Sequence, residues 1–170
     1  MISGSITREP DKNWPAYFLR CPAGQFDSQH TVSFFHNPRC GMKYQSNYYV
    51  MIPRENCLYF KQFSAWDERA FDQFLSDMIP IAEKYYRDNR WCVLSDSREW
   101  ELHTPDVNER MIKAAGQMPR MASHVAKVIG TSAIKKWELE KLYESIPQTE
   151  LKTFETIEAG VNWLKSHGYP

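Results

Sequence analysis

The sequence predicts an α/β domain built on a mostly parallel sheet that begins with an antiparallel hairpin. From residue 91 onward, short apolar runs alternate with segments whose apolar residues recur at helical spacing, a pattern typical of parallel strands joined by right-handed crossover helices. Ahead of them, two β-rich runs flank the turn-forming segment Pro53-Arg54-Glu55-Asn56, which indicates a hairpin. The predicted element order is therefore ββαβαβαβα.

The composition is that of a folded domain without excess charge. The chain has 170 residues, of which 42% are hydrophobic, and this is enough for a core of its own. The 21 Lys and Arg residues balance 21 Asp and Glu residues, so no electrostatic attraction to nucleic acid or to an anionic membrane is expected. Nucleic acid is therefore excluded from the predicted partners.

The cysteines and the apolar runs indicate a reducing compartment. Cys21, Cys40, Cys57 and Cys92 form no C-x-x-C pair and have no zinc-finger spacing, so we interpret them as reduced, mostly buried thiols. The sequence has no signal-peptide pattern and no apolar stretch of the roughly 18 residues that span a bilayer. We expect no membrane span and a bacterial-type cytoplasmic location, or an equivalent reducing compartment.

Residues 1–46 are predicted to form a partly flexible N-terminal extension, and residues 47–170 the domain itself. The first 15 residues are polar and aperiodic, which is typical of a flexible lead-in. Short β-like runs at 17–19 and 32–35 are interrupted by prolines and glycines. Three alternatives remain open for this segment: a hairpin packed on the domain, a domain-swapped arm, or a partner-binding extension.

The hairpin strands at 48–52 and 57–63 lead into the first helix. Ser64 and Asp67 each supply a side chain that can cap its free backbone N–H groups. Apolar residues then recur at helical spacing from Phe71 to Tyr85 and predict one buried stripe against a sheet. Pro80 lies within that span and is expected to bend or divide the helix, because it lacks the backbone N–H.

Three strand and helix pairs complete the prediction. The run at 91–94 has the apolar character of a buried parallel strand, so Leu94 is expected in a central strand. Helix-capping and turn residues separate the pairs. The strands are predicted over 91–94, 124–129 and 151–154, and the helices that follow them begin near Pro105, Ile134 and Thr156.

The charged loop after the strand at 91–94 is the first candidate site. In open α/β sheets, ligands and partners are met at the carboxyl ends of the strands. Two charged residues of the loop, Asp96 and Arg98, either hold a polar ligand together or bond the surrounding loop and helix ends, and we favour the second. The candidate residues for binding a ligand or partner here are Asp96, Ser97, Arg98, Trp100 and His103.

Trp100 and His103 each have a functional and a structural interpretation. Trp100 is either a partner anchor or buried against the next helix. His103 either titrates near neutral pH or is structural, and we favour the structural role because no base, nucleophile or second ligand accompanies it in the sequence.

No catalytic residue, cofactor or metal site is predicted. The sequence contains no G-x-S-x-G, no phosphate-binding glycine loop and no H-E-x-x-H. An activity that uses Asp96, Arg98 and His103 is kept as the lesser alternative. The remaining histidines are scattered along the chain with no ligand spacing, at positions His30, His36, His124 and His167.

The third helix carries more apolar surface than one stripe can bury. Its exposed part is expected to mark a self-association or ligand surface, with Trp137 and Tyr143 as candidates; the equal alternative is that the N-terminal segment covers it. An arm that reaches across a two-fold axis predicts a homodimer. One face of the helix holds Leu139, Leu142, Tyr143 and Ile146, while Ile134 and Trp137 point elsewhere.

Several motifs in a fixed order resemble the SpoIIAA-like proteins, bacterial relatives of the STAS domain. They are Ser64-Ala65-Trp66-Asp67-Glu68, the block WCVLSDSREWELHTPD at 91–106, and Phe154-Glu155-Thr156-Ile157-Glu158-Ala159 with Trp163-Leu164. The resemblance runs from about Tyr44 to the end of the chain. It implies a βα superhelix of the kind found in anti-sigma-factor antagonists and sulfate-transporter tails, and binding of partners or small apolar ligands without catalysis.

In anti-sigma-factor antagonists, a Ser at a helix start is phosphorylated within an Asp-Ser-Ser-Gly type motif, and Asp96-Ser97 resembles half of it. Arg98 stands where that pattern continues with small residues, and the helix begins only near Pro105. Phosphorylation of Ser97 therefore stays open.

The predicted function is a non-enzymatic STAS-like interaction or regulatory module with an unknown protein partner. The alternative is a carrier or sensor of a small apolar, lipid-like ligand held between sheet and helices, which the six Trp, nine Tyr and nine Phe residues favour.

Overall fold

The computed structural model describes residues 43–87, 89–117, 122–144, 146 and 148–170. Across these residues, six strands form one sheet and four helices pack on it. The elements in chain order are β1 (Tyr44–Gln45), β2 (Tyr49–Pro53), β3 (Cys57–Gln62), α1 (Glu68–Tyr85), β4 (Cys92–Asp96), α2 (Pro105–Gln117), β5 (His124–Val128), α3 (Ala133–Tyr143), β6 (Glu150–Phe154) and α4 (Ile157–Ser166).

The six strands lie side by side in chain order. β1, β2 and β3 pair antiparallel, and β3 to β6 pair parallel. The α/β class, the parallel second half and the antiparallel hairpin are therefore confirmed. β4 lies between β3 and β5, so Leu94 is in a central strand, as predicted.

One strand was not predicted. Tyr44 and Gln45 form β1, an edge strand whose partners in β2 are Met51 and Val50. The predicted boundary after residue 46 therefore falls beyond a strand of the sheet. Residues 1–42, which hold nearly all of the predicted N-terminal extension, lie outside the described residues.

The two faces of the sheet are covered by different helices. α4 packs on β4, β5 and β6, and it approaches closely because Gly160 has no side chain: a Cβ there would lie 3.2 Å from Leu94 Cδ1 and 3.4 Å from Ala126 Cβ. Side chains alternate between the faces of a strand, so Val93 and Ser95 point to the other face, where α1, α2 and α3 contribute the facing side chains. We call this the cavity face, because a cavity lies between it and these three helices.

The helix starts follow local chemistry. Asp67 Oδ1 accepts from the backbone N–H of Ala70 at 2.8 Å, and Thr156 Oγ1 accepts from that of Ala159. The predicted cap at Asp67 and the predicted helix start at Thr156 are therefore confirmed. Ser64 is not a cap; it has φ 51 and bridges to Trp100. Pro80 does not divide α1, which continues to Tyr85.

Cys57 and Cys92 lie opposite each other at the starts of β3 and β4, and both are buried free thiols. The burial expected of the cysteines is thus found for these two; Cys21 and Cys40 lie outside the described residues. None of the described helices is long and apolar enough to cross a bilayer.

Candidate functional site

A cavity of about 140 Å³ lies between the cavity face of the sheet and the helices α1, α2 and α3. Native cores are packed with few voids larger than a water molecule, so a space of this size is a candidate binding site. Three polar residues border it, Gln62, Ser95 and Lys127. The other lining residues are Leu58, Phe60, Trp66, Phe71, Phe74, Leu75, Met78, Trp91, Val93, Met111, Ala114, Ala122, Val125, Leu142, Tyr143 and Ile146.

The volume sets the size of a ligand. An apolar cavity of about 150 Å³ admits a molecule of the size of benzene. Aromatic rings surround the space on the α1 side, where Trp66 and Phe74 lie 5.1 Å apart between ring centres and Phe60 lies 5.5 Å from Phe74. The cavity therefore suits a single ring or a short hydrocarbon chain.

The polar residues of the cavity lie at one end. Along β4 and β5, the apolar Val93 and Val125 come first and the polar Ser95 and Lys127 follow two residues later. Ser95 and Lys127 are direct neighbours across the two strands, and alternation puts them on the same face. The polar end therefore lies toward the carboxyl ends of the strands, where the sequence predicted a site.

Lys127 is a buried cation at this polar end. Its side chain is 6% exposed, and its Nζ lies 4.9 Å from the centre of the Trp100 ring. Among the residues that the structure describes, no carboxylate and no hydrogen bond reaches this Nζ. Burial, and to a lesser degree the charge of Lys135, lowers the pKa of Lys127 to about 8. A buried ammonium without an anion is costly.

A second void beside this lysine is far smaller. It measures about 10 Å³ and lies between Trp100, His103, Lys127 and Glu138. A volume of roughly this size holds at most one water molecule.

His103 is enclosed by nitrogen-bearing donors. The backbone N–H of Trp66 donates to Nδ1 at 3.0 Å, and the Gln62 amide and the Trp100 indole each approach Nε2 at 3.0 Å. Burial, followed by the charge of Lys127, lowers the pKa of His103 to about 4. The ring is neutral at pH 7, which agrees with its structural interpretation: it fixes the loops after β3 and β4.

Asp96 and Arg98 bond each other. The Arg98 guanidinium donates to both carboxylate oxygens of Asp96, at 2.9 and 2.8 Å, and the Arg98 backbone N–H donates to Oδ1 at 3.3 Å. Lys135 Nζ donates to the carbonyls of Ser97 and Arg98 at 3.3 and 2.9 Å. These contacts hold the loop in place, as the favoured interpretation of the pair requires.

Ser97 is fully buried, and its Oγ lies 3.0 Å from Ser95 Oγ and 3.5 Å from Gln62 Oε1. It precedes a turn and not a helix. In this conformation its hydroxyl is out of reach of a modifying enzyme.

The structure does not bring Asp96, Arg98 and His103 to one cleft. Alternation along β4 places Asp96 on the α4 face, with Leu94. His103 instead contacts Gln62 on the cavity face.

Trp100 is buried in a small cluster with Ile129 and Leu139 of α3. The structure thus follows the second interpretation of Trp100, burial against a helix. Its backbone lies beside Ser64, whose N–H bonds Glu99.

Trp137 and Tyr143 do not share a surface. Trp137 is 58% exposed and Ile134 63% exposed. Tyr143 instead lines the cavity, and burial raises its pKa to about 12. The predicted homodimer and the covering N-terminal segment stay predictions.

The sequence did carry a signal for Lys127. A strand covered on both faces is expected to be continuously apolar, and Lys127 interrupts the run His124-Val125-Ala126-Lys127-Val128. Gln62 and Trp66 gave no comparable signal, because their place in the site depends on the loops that pack them against His103.

The comparisons with known proteins establish the fold. Neither a protein-family model nor a curated protein matches the sequence. The structure is similar to the crystal structure of an uncharacterized protein of the DUF3478 family from Shewanella loihica, which has a SpoIIAA-like fold. The TM-score is 0.53 and the sequence identity 17%, over 83% of this chain and 99% of that chain. The chain therefore has a SpoIIAA-like fold.

Proposed function

We propose that this domain is a non-enzymatic binding module whose cavity takes a small apolar ligand carrying an acidic group. The observation that carries the proposal is the cavity of about 140 Å³, which is apolar except where Gln62, Ser95 and Lys127 border it. The apolar walls supply affinity, since each CH₂ group removed from water contributes about 0.8 kcal/mol.

The acidic group follows from the charge at the polar end. A carboxylate beside Lys127 forms a charge-assisted hydrogen bond and compensates a buried cation. A neutral apolar molecule of the same size brings no negative charge, so the Lys127 ammonium stays without an anion. A short-chain or aromatic carboxylate therefore fits the cavity better than a hydrocarbon.

The experiment compares matched pairs of probes on the full chain. Benzoate and hexanoate are titrated against benzyl alcohol and 1-hexanol, with the thermal midpoint and isothermal calorimetry as readouts. Since a ligand that binds only the folded state raises the midpoint with its concentration, we expect the two carboxylates to raise it more than the alcohols.

Two variants locate the binding. Ala114→Phe fills the cavity and should abolish binding of all four probes, while Ile134→Phe on the exposed side of α3 should not. Lys127→Met should remove the preference for carboxylates, while Lys136→Met, whose side chain is 58% exposed, should keep it. Binding that survives Ala114→Phe, or no binding by any probe at millimolar concentration, rejects the proposal. If a water molecule already hydrogen-bonds the Lys127 ammonium, Lys127→Met leaves the preference for carboxylates over alcohols unchanged. That outcome rejects the acidic group of the proposed ligand.

A second candidate function is favoured by the surface of α3. Ile134 and Trp137 are three residues apart on one side of the helix and both are largely exposed. We propose that a protein partner or a second copy of the chain contacts them. Sedimentation of the full chain, alone and as Ile134→Glu with Trp137→Glu, tests self-association; a dimer that survives both changes excludes this surface. Tyr143 is left intact, because it lines the cavity.

A further inference from the structure

Three metal-ligating side chains meet at the amino ends of the parallel strands, whereas the polar end of the cavity lies toward their carboxyl ends. His124 and Glu150 are the first residues of β5 and β6 and are direct neighbours across the two strands. His167 follows the last residue of α4. One ligand atom from each residue lies within 4.8 Å of the other two, and His124 Nε2 lies 3.5 Å from Glu150 Oε2.

The hydrogen bonds of His167 leave one of its nitrogens free. Its Nδ1 lies 2.9 Å from the carbonyl oxygen of Trp163. A carbonyl only accepts, so Nδ1 carries the proton and donates it. The lone pair is therefore on Nε2, as in a histidine that binds a metal while its other nitrogen donates to a backbone carbonyl.

His124 is oriented in the same way. Its Nδ1 lies 3.1 Å from the hydroxyl of Tyr169, and that hydroxyl donates to the carbonyl of Trp91 at 3.4 Å. A metal on Nε2 requires the proton of His124 on Nδ1, and the Tyr169 hydroxyl oxygen is then the group that accepts it. The Nε2 lone pair then faces Glu150, and the burial of the His124 ring fixes its orientation.

The charges around the cluster are mixed. Glu150 contributes a carboxylate, and the C-terminal end of α4 carries the negative end of the helix dipole at His167. Arg90 opposes it, with Nη2 3.4 Å from His124 Nδ1. A guanidinium only donates, so the Arg90 contact needs a lone pair on His124 Nδ1, whereas a metal on Nε2 needs the proton there. Metal binding therefore replaces the Arg90 contact by the hydrogen bond from Nδ1 to the Tyr169 hydroxyl.

We propose that His124, Glu150 and His167 form a binding site for a divalent transition metal, with Zn²⁺ as the best match. Two imidazole nitrogens and one carboxylate oxygen are a common zinc ligand set, and ligands at about 2.0 to 2.1 Å from a tetrahedral ion lie roughly 3.3 Å from one another. His124 and Glu150 already meet this spacing. The exposed Glu150 and the helix-end position of His167 allow the remaining approach, and a fourth position stays open to water.

This site was not predicted, because His124 and His167 are far apart in the sequence and have no ligand spacing. The parallel register of β5 and β6 and the turn after α4 bring them together. The proposal is independent of the cavity, which is bordered by other residues.

The test titrates the metal-free full chain with Zn²⁺ in competition with a chromophoric chelator. Glu150→Gln and His167→Gln each remove one ligand, and Glu158→Gln removes an exposed carboxylate from the start of α4 as a control. We expect one Zn²⁺ per chain at this site, and binding at least about tenfold weaker in each ligand variant, since loss of even an indirect partner of a metal ligand costs 10- to 100-fold in affinity. Glu158→Gln should bind as the wild type does.

Trp163 gives a second, local readout. Its ring centre lies 4.8 Å from that of His167 and 5.6 Å from that of His124, so Cu²⁺ bound at the site should quench its fluorescence. The quenching should be lost in Trp163→Phe and in His167→Gln.

No Zn²⁺ binding by the wild type at 100-fold excess overturns the proposal. So does binding that both ligand variants keep, which would place the metal on other residues such as the cysteines and histidines of the first 42 positions.

Discussion

Lys127 points its ammonium group at the face of Trp100, with 4.9 Å between Nζ and the ring centre. A cation–π contact contributes about 0.5 to 2 kcal/mol, which is less than the cost of burying an unpaired charge. The strand that carries Lys127 is therefore less stable than an apolar equivalent, and such departures from the rules of core composition are expected at functional sites.

Replacing Lys127 by Met is expected to stabilise the domain at pH 7, by about 1 to 3 kcal/mol, because a chain of similar length is kept and the buried charge is removed. The folded pKa of about 8 lies below the ordinary 10.5, so the folded state binds fewer protons than the unfolded state between these values. The wild type should therefore gain stability as the pH rises from 8 to 10.5. Urea denaturation at pH 7, 9 and 10.5 measures both effects. A gap between wild type and variant that does not narrow with rising pH would contradict this account.

The domain should lose stability in acid through His103. Its pKa is about 4 in the fold and 6.5 in an ordinary environment, so the unfolded state binds the additional proton. The stability that neutral His103 contributes is complete above pH 6.5 and is lost as the pH falls toward 4, by roughly 3 kcal/mol. His103→Gln should be less stable at pH 7 and show a shallower loss in acid. Parallel stability curves for the two proteins would show that His103 is not the titrating group.

Gly160 should tolerate Ala and reject larger side chains. A Cβ at this position lies 3.2 Å from Leu94 Cδ1, a tight contact that the higher helix propensity of Ala, worth about 1 kcal/mol, offsets. Gly160→Leu should lower the free energy of unfolding by about 2 kcal/mol or more, because overpacking forces α4 away from the sheet. Thermal and urea denaturation of the two variants measure the difference, and equal stabilities would show that α4 does not pack closely at Gly160.

Leu94→Asp should abolish the cooperative thermal transition. Leu94 is buried in β4 with strands on both sides and α4 above it, and a buried carboxylate without a partner exceeds the stability margin of a domain. Ile134→Asp, at an exposed position, is the matched control and should melt nearly as the wild type does. A retained transition in Leu94→Asp would place this residue outside the core.

The features that the sequence predicted are those set by local patterns. The caps at Asp67 and Thr156, the apolar run that becomes β4 and the charged loop after it depend on neighbouring residues alone. β1 escaped prediction because two residues form no recognisable pattern. It exists because β2 offers it an open edge.

The sequence predicted a ligand between sheet and helices as the alternative function, but the residues of both candidate sites escaped prediction because they are distant in the sequence. The cavity is defined by three helices that do not fill the space above β3 to β5, and no local pattern encodes a gap between elements. The group of His124, Glu150 and His167 depends on the exact pairing of β5 with β6. The Asp96 loop was predicted as a candidate site with a structural alternative for its residues, and the structure follows that alternative: Asp96 and Arg98 bond each other and Trp100 is buried.

The cavity should also make the domain sensitive to pressure. Unfolding under hydrostatic pressure is favoured by the loss of internal void volume, and typical domains change by about 20 to 100 mL/mol. The enclosed part of the cavity of about 140 Å³ is lost on unfolding, so this domain should unfold at lower pressure than a fully packed domain of equal stability. Ala114→Phe or a bound ligand fills the space. Either should raise the pressure midpoint of unfolding by more than the accompanying gain in thermal stability alone accounts for. Pressure thus separates occupation of the interior from binding at the surface.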